Sequence, residues 1–193
     1  ALSSAASDVY KRQVPDGNER EKDVVEVMVR NTAREIAIHL SYELSFTDKP
    51  VEELLDERLT PESFAALAEE DPLYQETPNA KQADYIRRLV RGVADHAPEL
   101  DGYIAKYAKG WNFARIPLVA SAIMRVAMYE ILYMPDIPAA AAINEAVELA
   151  RRYDAPEAAS FANGILGAFV RGELPPERAD AVDTQAEDKK DGA

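Results

Sequence analysis

LVASAIMRVAMYEILYM occupies residues 118–134, with Pro117 directly before it and Pro135 directly after. Ser121, Arg125 and Glu130 are its clear polar exceptions. A segment that is apolar nearly all round and punctuated by proline reads as a helix enclosed by the rest of the molecule. Working outward, Pro138 opens a second helix over about 139–153. Asp154 is placed to cap a third, with Pro156 in its first turn and Arg171–Gly172 at its end.

On the N-terminal side the periodicity is also helical. From about Val25 to Phe46, the residues Val29, Ala33, Ile36, Ala37, Leu40 and Leu44 recur at helical spacing. A short acidic helix is expected over Val51–Leu59. Thr60 caps the next, with Pro61 at its first position. Asn79 caps a helix over about 80–96, and Pro98 starts another that Gly110 breaks. No stretch alternates like a strand, and no repeat of 20–50 residues is visible. The expectation is an all-α bundle of about seven helices spanning residues 25–172. Residues 1–24 read as a disordered extension, and residues 1–13, ending in DVYKRQ, resemble translated sequencing-adapter read-through. Residues 173–193 read as a disordered acidic tail.

Composition narrows the chemistry. The chain has 193 residues and no cysteine, which removes disulfides, thiolate metal sites and thiol catalysis. Its two histidines, His39 and His96, form no metal-binding pattern, and no glycine-rich phosphate loop occurs. No cofactor motif is present, and an enzyme would have to work with carboxylates and tyrosine alone. No run approaches the roughly 18 apolar residues of a membrane span, and no signal-peptide pattern is present, so the expected location is the cytoplasm.

The net charge of −13 argues against nucleic acid at first sight. Its distribution qualifies that. Residues 48–76 carry ten acids and two bases, whereas residues 77–171 carry ten acids and eleven bases. The body outside the acidic insert and the tail is near neutral, which leaves room for a small basic patch.

Three groups of residues stand out. Arg30 and Arg34, four apart, read as either a phosphate-gripping edge or a pair of solvated arginines, and Tyr42, two turns on from Arg34 and expected on the same face, as either a base-stacking ring or a core edge. Trp111 and Phe113, with Tyr107 before them and Lys106, Lys109 and Arg115 interleaved, read as either a single-strand platform or a plugged helix junction. Arg125 and Glu130, with Asn144 and Glu145 on the next helix, read as a structural network pairing Arg125 with Glu145 or Glu130. His39 reads as a satisfied structural histidine at a core boundary. His96 reads as a cation favoured by a helix end.

The run IMRVAMYEILYMPDIPAAAAINEAVELARRYDAPEAASFANGILGAFVR (123–171) resembles the C-terminal half of the NusB family of transcription antitermination factors. INEAVELARRY (143–153) and FANGIL (161–166) are its most specific pieces, and the run from Ala33 to Tyr42 resembles the family's first helix. The likeness covers roughly residues 30–171, with 48–79 matching least. It implies an all-helical protein of two small subdomains that is not an enzyme. It further implies binding of boxA RNA in ribosomal RNA transcripts, together with the small-subunit ribosomal protein NusE, within the antitermination complex of RNA polymerase.

Carried over position by position, the resemblance implies RNA contacts at Arg30, Arg34, Tyr42, Tyr107 and Phe161, with the acidic Glu157 nearby. Many members carry three or more consecutive arginines where this chain has Arg-Asn-Thr-Ala-Arg, so its unaided affinity for RNA is expected to be lower. Monomer and homodimer both stay open. Two alternatives remain: an interaction module without RNA binding, and an N-terminal fragment of a ribosomal RNA cytosine methyltransferase.

Overall fold

A computed structural model describes residues 17–110, 116–153 and 156–179. The order is α1 (Gly17–Glu43), a 3-10 turn (Leu44–Phe46), α2 (Val51–Arg58), α3 (Pro61–Leu67), a second 3-10 turn (Pro72–Tyr74) and α4 (Ala80–Asp95). There follow α5 (Ala97–Tyr107), α6 (Leu118–Tyr133), α7 (Ala139–Tyr153) and α8 (Pro156–Glu173). The all-α expectation holds, and the described residues contain no strand.

The local signals act as their chemistry requires. Thr60 accepts from the Ser63 amide at 3.1 Å, and Pro61 follows it. Asn79 and Gln82 form a reciprocal capping box that satisfies two orphan amides of α4. Gly110 adopts φ +82° beyond the end of α5, a conformation that a Cβ would strain. The acidic insert folds as α2, α3 and the second 3-10 turn, pinned by buried Leu54, Leu55, Phe64 and Tyr74.

Helix α6 is the hub. It packs on α1, α4, α5, α7 and α8, and ten of its side chains are buried. Helices α1–α4 form the N-terminal half of the chain and α5–α8 the C-terminal half. One continuous apolar core runs through both, because α6 contributes to each.

Two boundaries differ from the sequence reading. Helix α1 begins at Gly17, inside the stretch expected to be disordered. Glu19–Lys22 lack apolar periodicity but have high helix propensity, and extending an anchored helix needs no new nucleus. At the other end, α8 runs through Glu173, and residues 176–179 form a further helical turn. Leu174 and Ala179 are buried, and Arg178 donates to the Ile131 carbonyl at 2.8 Å. That carbonyl belongs to the last turn of α6, where backbone acceptors lack helical partners and a cation is favoured. Residues 1–16 and 180–193 lie outside the described residues.

Candidate nucleic-acid interface

Helix α1 is polar enough to look like a surface helix, yet its middle is enclosed. Arg34 and Glu35 are buried along with Ala33, Ile36, Ala37 and Ile38. Arg34 is 3% exposed, and its Nε donates to both carboxylate oxygens of Glu130 at 3.1 and 2.9 Å. Its NH1 donates to Asn31 Oδ1 at 2.8 Å. The Tyr85 hydroxyl donates to the same Glu130 carboxylate. Burial opposes the charge of Arg34, but the adjacent Glu130 carboxylate outweighs it and holds the guanidinium above its usual range.

The expectation that Arg34 grips phosphate is therefore corrected: this side chain lies in the core, joining α1 to α4 and α6. The shared face expected with Tyr42 also fails geometrically. Eight positions make 2.2 turns, which leaves the two side chains about 80° apart around the helix.

The other four candidates reach the surface at separate places. Tyr42 is 37% exposed and packs its ring against Phe46, with centroids 4.9 Å apart. Phe46 is 64% exposed, and the sequence reading missed it. Its signal was an aromatic four positions past Tyr42, just beyond the helix end. Arg30 is half-buried and acts electrostatically on Tyr85, which places it beside α4. Twelve residues of helix put it about 18 Å along the axis from Tyr42.

Phe161 is half-buried on α8, packed against the core beside exposed Asn163 and Gly164. Glu157 is exposed one turn earlier. Tyr107 donates to Glu173 at 2.6 Å, with the Lys106 ammonium 5.2 Å from its ring centroid. Glu173 ends α8, so Tyr107 and Phe161 lie about 18 Å apart along that helix. Trp111, Phe113 and Arg115 fall outside the described residues.

The expected network around Arg125 is also corrected. Arg125 pairs with Asp101 of α5, at 2.6 and 2.9 Å. Glu130 sits five positions on, well round the helix from Arg125, and is already held by Arg34 and Tyr85. His96 sits between α4 and α5, as expected at a helix end, and bonds Glu99 at 2.9 Å.

His39 is satisfied, as expected, by partners far away in sequence. Its Nδ1 lies 2.8 Å from the Tyr74 hydroxyl, and its Nε2 lies 2.8 Å from the Tyr153 hydroxyl. Tyr153 donates at 2.5 Å to Glu35, a carboxylate that Arg152 also binds at 2.7 and 2.9 Å. A carboxylate only accepts, so the Tyr153 oxygen must accept from His39. That fixes the neutral tautomer with the proton on Nε2 and Tyr74 donating to Nδ1. The same bonds seat the C-terminal end of α7 against α1, one turn before Tyr42.

Burial lowers the His39 pKa from 6.5, against the opposing pull of Glu35 and Asp71. The folded state therefore resists a proton that the unfolded chain accepts below pH 6.5. Stability from this group is complete above that pH and is lost as pH falls below it. Urea midpoints are expected to fall from pH 7.5 to 5.5, and to fall less in His39→Gln. Equal slopes for the two proteins would contradict the neutral, doubly bonded histidine.

The sequence model described as the NusB family matches residues 31–171. The transcription antitermination protein NusB of Acetivibrio thermocellus is 40% identical over 147 residues, covering 76% of this chain and 92% of that protein. Its counterpart from Salinispora arenicola is 38% identical over 141 residues, covering 72% and 92%. Among solved structures, NusB of T. maritima superposes with a TM-score of 0.64 at 28% identity, covering 78% of this chain and 96% of that one. A chain from a complex of antitermination factors NusB and NusE with double-stranded RNA shares the fold, with a TM-score of 0.59 at 22% identity, covering 75% and 98%.

Proposed function

The chain belongs to the NusB family, and from that premise we propose that it is a transcription antitermination factor. It binds boxA-type RNA of ribosomal RNA transcripts together with ribosomal protein NusE, and it performs no catalysis. Its setting is the cytoplasm, within the antitermination complex of RNA polymerase. The observation that carries this reading is the family match across residues 31–171, the helical body of the molecule, with relatives that bear the antitermination name.

The geometry supports a modest, divided RNA surface. Tyr42 offers an exposed ring steadied by Phe46, and stacking on such a ring is tolerant of base identity. The α7 end that abuts α1 carries Arg151 and Arg152, whose side chains are 54% and 60% exposed although paired with Glu148 and Glu35. Phe161, in the second turn of α8, offers a second, half-buried ring at a separate place. Arg30 supplies a cation farther along α1. Arg34 acts through α1 as a positioning residue, and Tyr107 marks a separate patch at the far end of α8. Because Arg34, Arg151 and Arg152 are each paired with a carboxylate, unaided affinity is expected to be low and NusE to supply the remainder.

Tyr42→Ala tests the surface. Stacking contributes about 1–3 kcal/mol per base, so the variant is expected to lose about tenfold or more in affinity for a boxA-type single strand. Its thermal midpoint is expected to stay near that of the wild type, because the ring is exposed. Unchanged affinity in an anisotropy titration would remove Tyr42 from the surface.

A further inference from the structure

We infer that the cleft between α1 and the acidic insert docks a basic, amphipathic segment of a protein partner, one apolar side chain of which fills the cleft. The cleft has a volume of about 150 Å³, and Ile36, Leu40, Phe64 and Leu67 form its apolar part. An apolar cavity of that size takes a single benzene-sized group. This matches one aromatic or branched aliphatic anchor of the kind that dominates protein interfaces. Just past Glu43, on the cleft's edge, the chain turns into the 3-10 segment bearing the exposed ring of Phe46.

The polar rim decides the charge of the occupant. Its cation, Arg58, is held by both carboxylate oxygens of Glu43, with Nε at 3.0 Å from each. Both nitrogens of the rim's His39 are occupied by tyrosine hydroxyls. The His39 ring has no donor free for phosphate, and the charge of Arg58 is already offset by Glu43. Around the cleft, residues 48–76 hold ten acids against Lys49 and Arg58. Lys49 is itself neutralised by Glu57 at 2.6 Å. Glu62, Glu69 and Glu70, in and just after α3, are exposed and form no ion pair among the described residues. An apolar slot beside uncompensated carboxylates fits a Lys- or Arg-rich helix or strand with one apolar face, and it repels RNA.

The test uses the full-length chain and two labelled peptides of equal positive charge. One carries Lys and Leu at helical spacing, and the other has each Leu replaced by Gln. At an ionic strength of about 0.15 M, where exposed charges are substantially screened, the Leu peptide is expected to bind about tenfold tighter than the Gln peptide. Leu67→Ser is expected to abolish that preference. The exposed double variant Glu69→Lys, Glu70→Lys is expected to weaken both peptides while leaving the fold intact. Equal binding of the two peptides by the wild-type protein would overturn the inference. So would undiminished binding to the charge-reversed variant, or stoichiometric displacement of the Leu peptide by single-stranded RNA. The antitermination reading is tested separately, because neither Leu67 nor the two glutamates belong to the proposed RNA surface.

Discussion

Arg34→Ala is expected to destabilise the protein by about 3–5 kcal/mol, the range for removing one partner of a buried ion pair. The reason lies in what is left behind. Glu130 is 0% exposed, and without Arg34 its carboxylate would keep only the Tyr85 hydroxyl. Converting the whole group to apolar side chains of similar size removes that penalty. Arg34→Met, Glu130→Leu and Tyr85→Phe together are expected to recover most of the loss, since these three positions then leave no buried charge or hydroxyl without a partner. Urea denaturation of the single and triple variants measures both effects. A loss below about 1 kcal/mol for Arg34→Ala, with a large fall in RNA affinity, would return this side chain to the surface.

Phe169→Ala is expected to cost about 3–5 kcal/mol through the cavity it leaves. The Phe169 ring is fully buried and meets Tyr103 edge-on at 5.1 Å and Tyr107 at 6.2 Å. At roughly 2–4 °C per kcal/mol for a chain of this size, the thermal midpoint should drop by about ten degrees. The loss also loosens Tyr107, whose ring rests on Phe169 and whose hydroxyl is held by Glu173. A drop of only one or two degrees would mean that the α5–α8 contact repacks without this ring.

These two side chains show what the sequence reveals and what it hides. Helix α6 was legible because its apolar residues leave no polar face, and a helix without a polar face must be enclosed. The helix starts at Pro61 and Ala80 were legible from Thr60 and Asn79, which act within three residues of themselves. The enclosure of α1 was hidden because Arg34 and Glu35 look like solvated side chains. Their masking partners, Glu130, Arg152 and Tyr153, lie 96 to 118 positions away. No local window contains both halves of such a pair.

The surface was legible in part. Tyr42 emerged from the likeness to a known first helix, and the structure leaves it exposed. Phe46 was missed although it closes the helix expected over Val25–Phe46, because it falls outside the apolar set that recurs at helical spacing. The cleft against the acidic insert could not be read at all. Its walls come from α1 and α3 and from Tyr74 in the second 3-10 turn, and the charge run of 48–76 gave no hint that Phe64 and Leu67 face Ile36 and Leu40.

The most direct test of the antitermination reading is fluorescence anisotropy of a labelled boxA-type single-stranded RNA. It is titrated with this protein alone and with its cognate NusE, at two salt concentrations. The account predicts weak binding alone and markedly tighter binding with NusE. The log–log salt slope should be small for the protein alone, at about −0.7 per phosphate contact on a single strand. Absence of binding with NusE present would contradict it and leave a module that engages proteins without RNA.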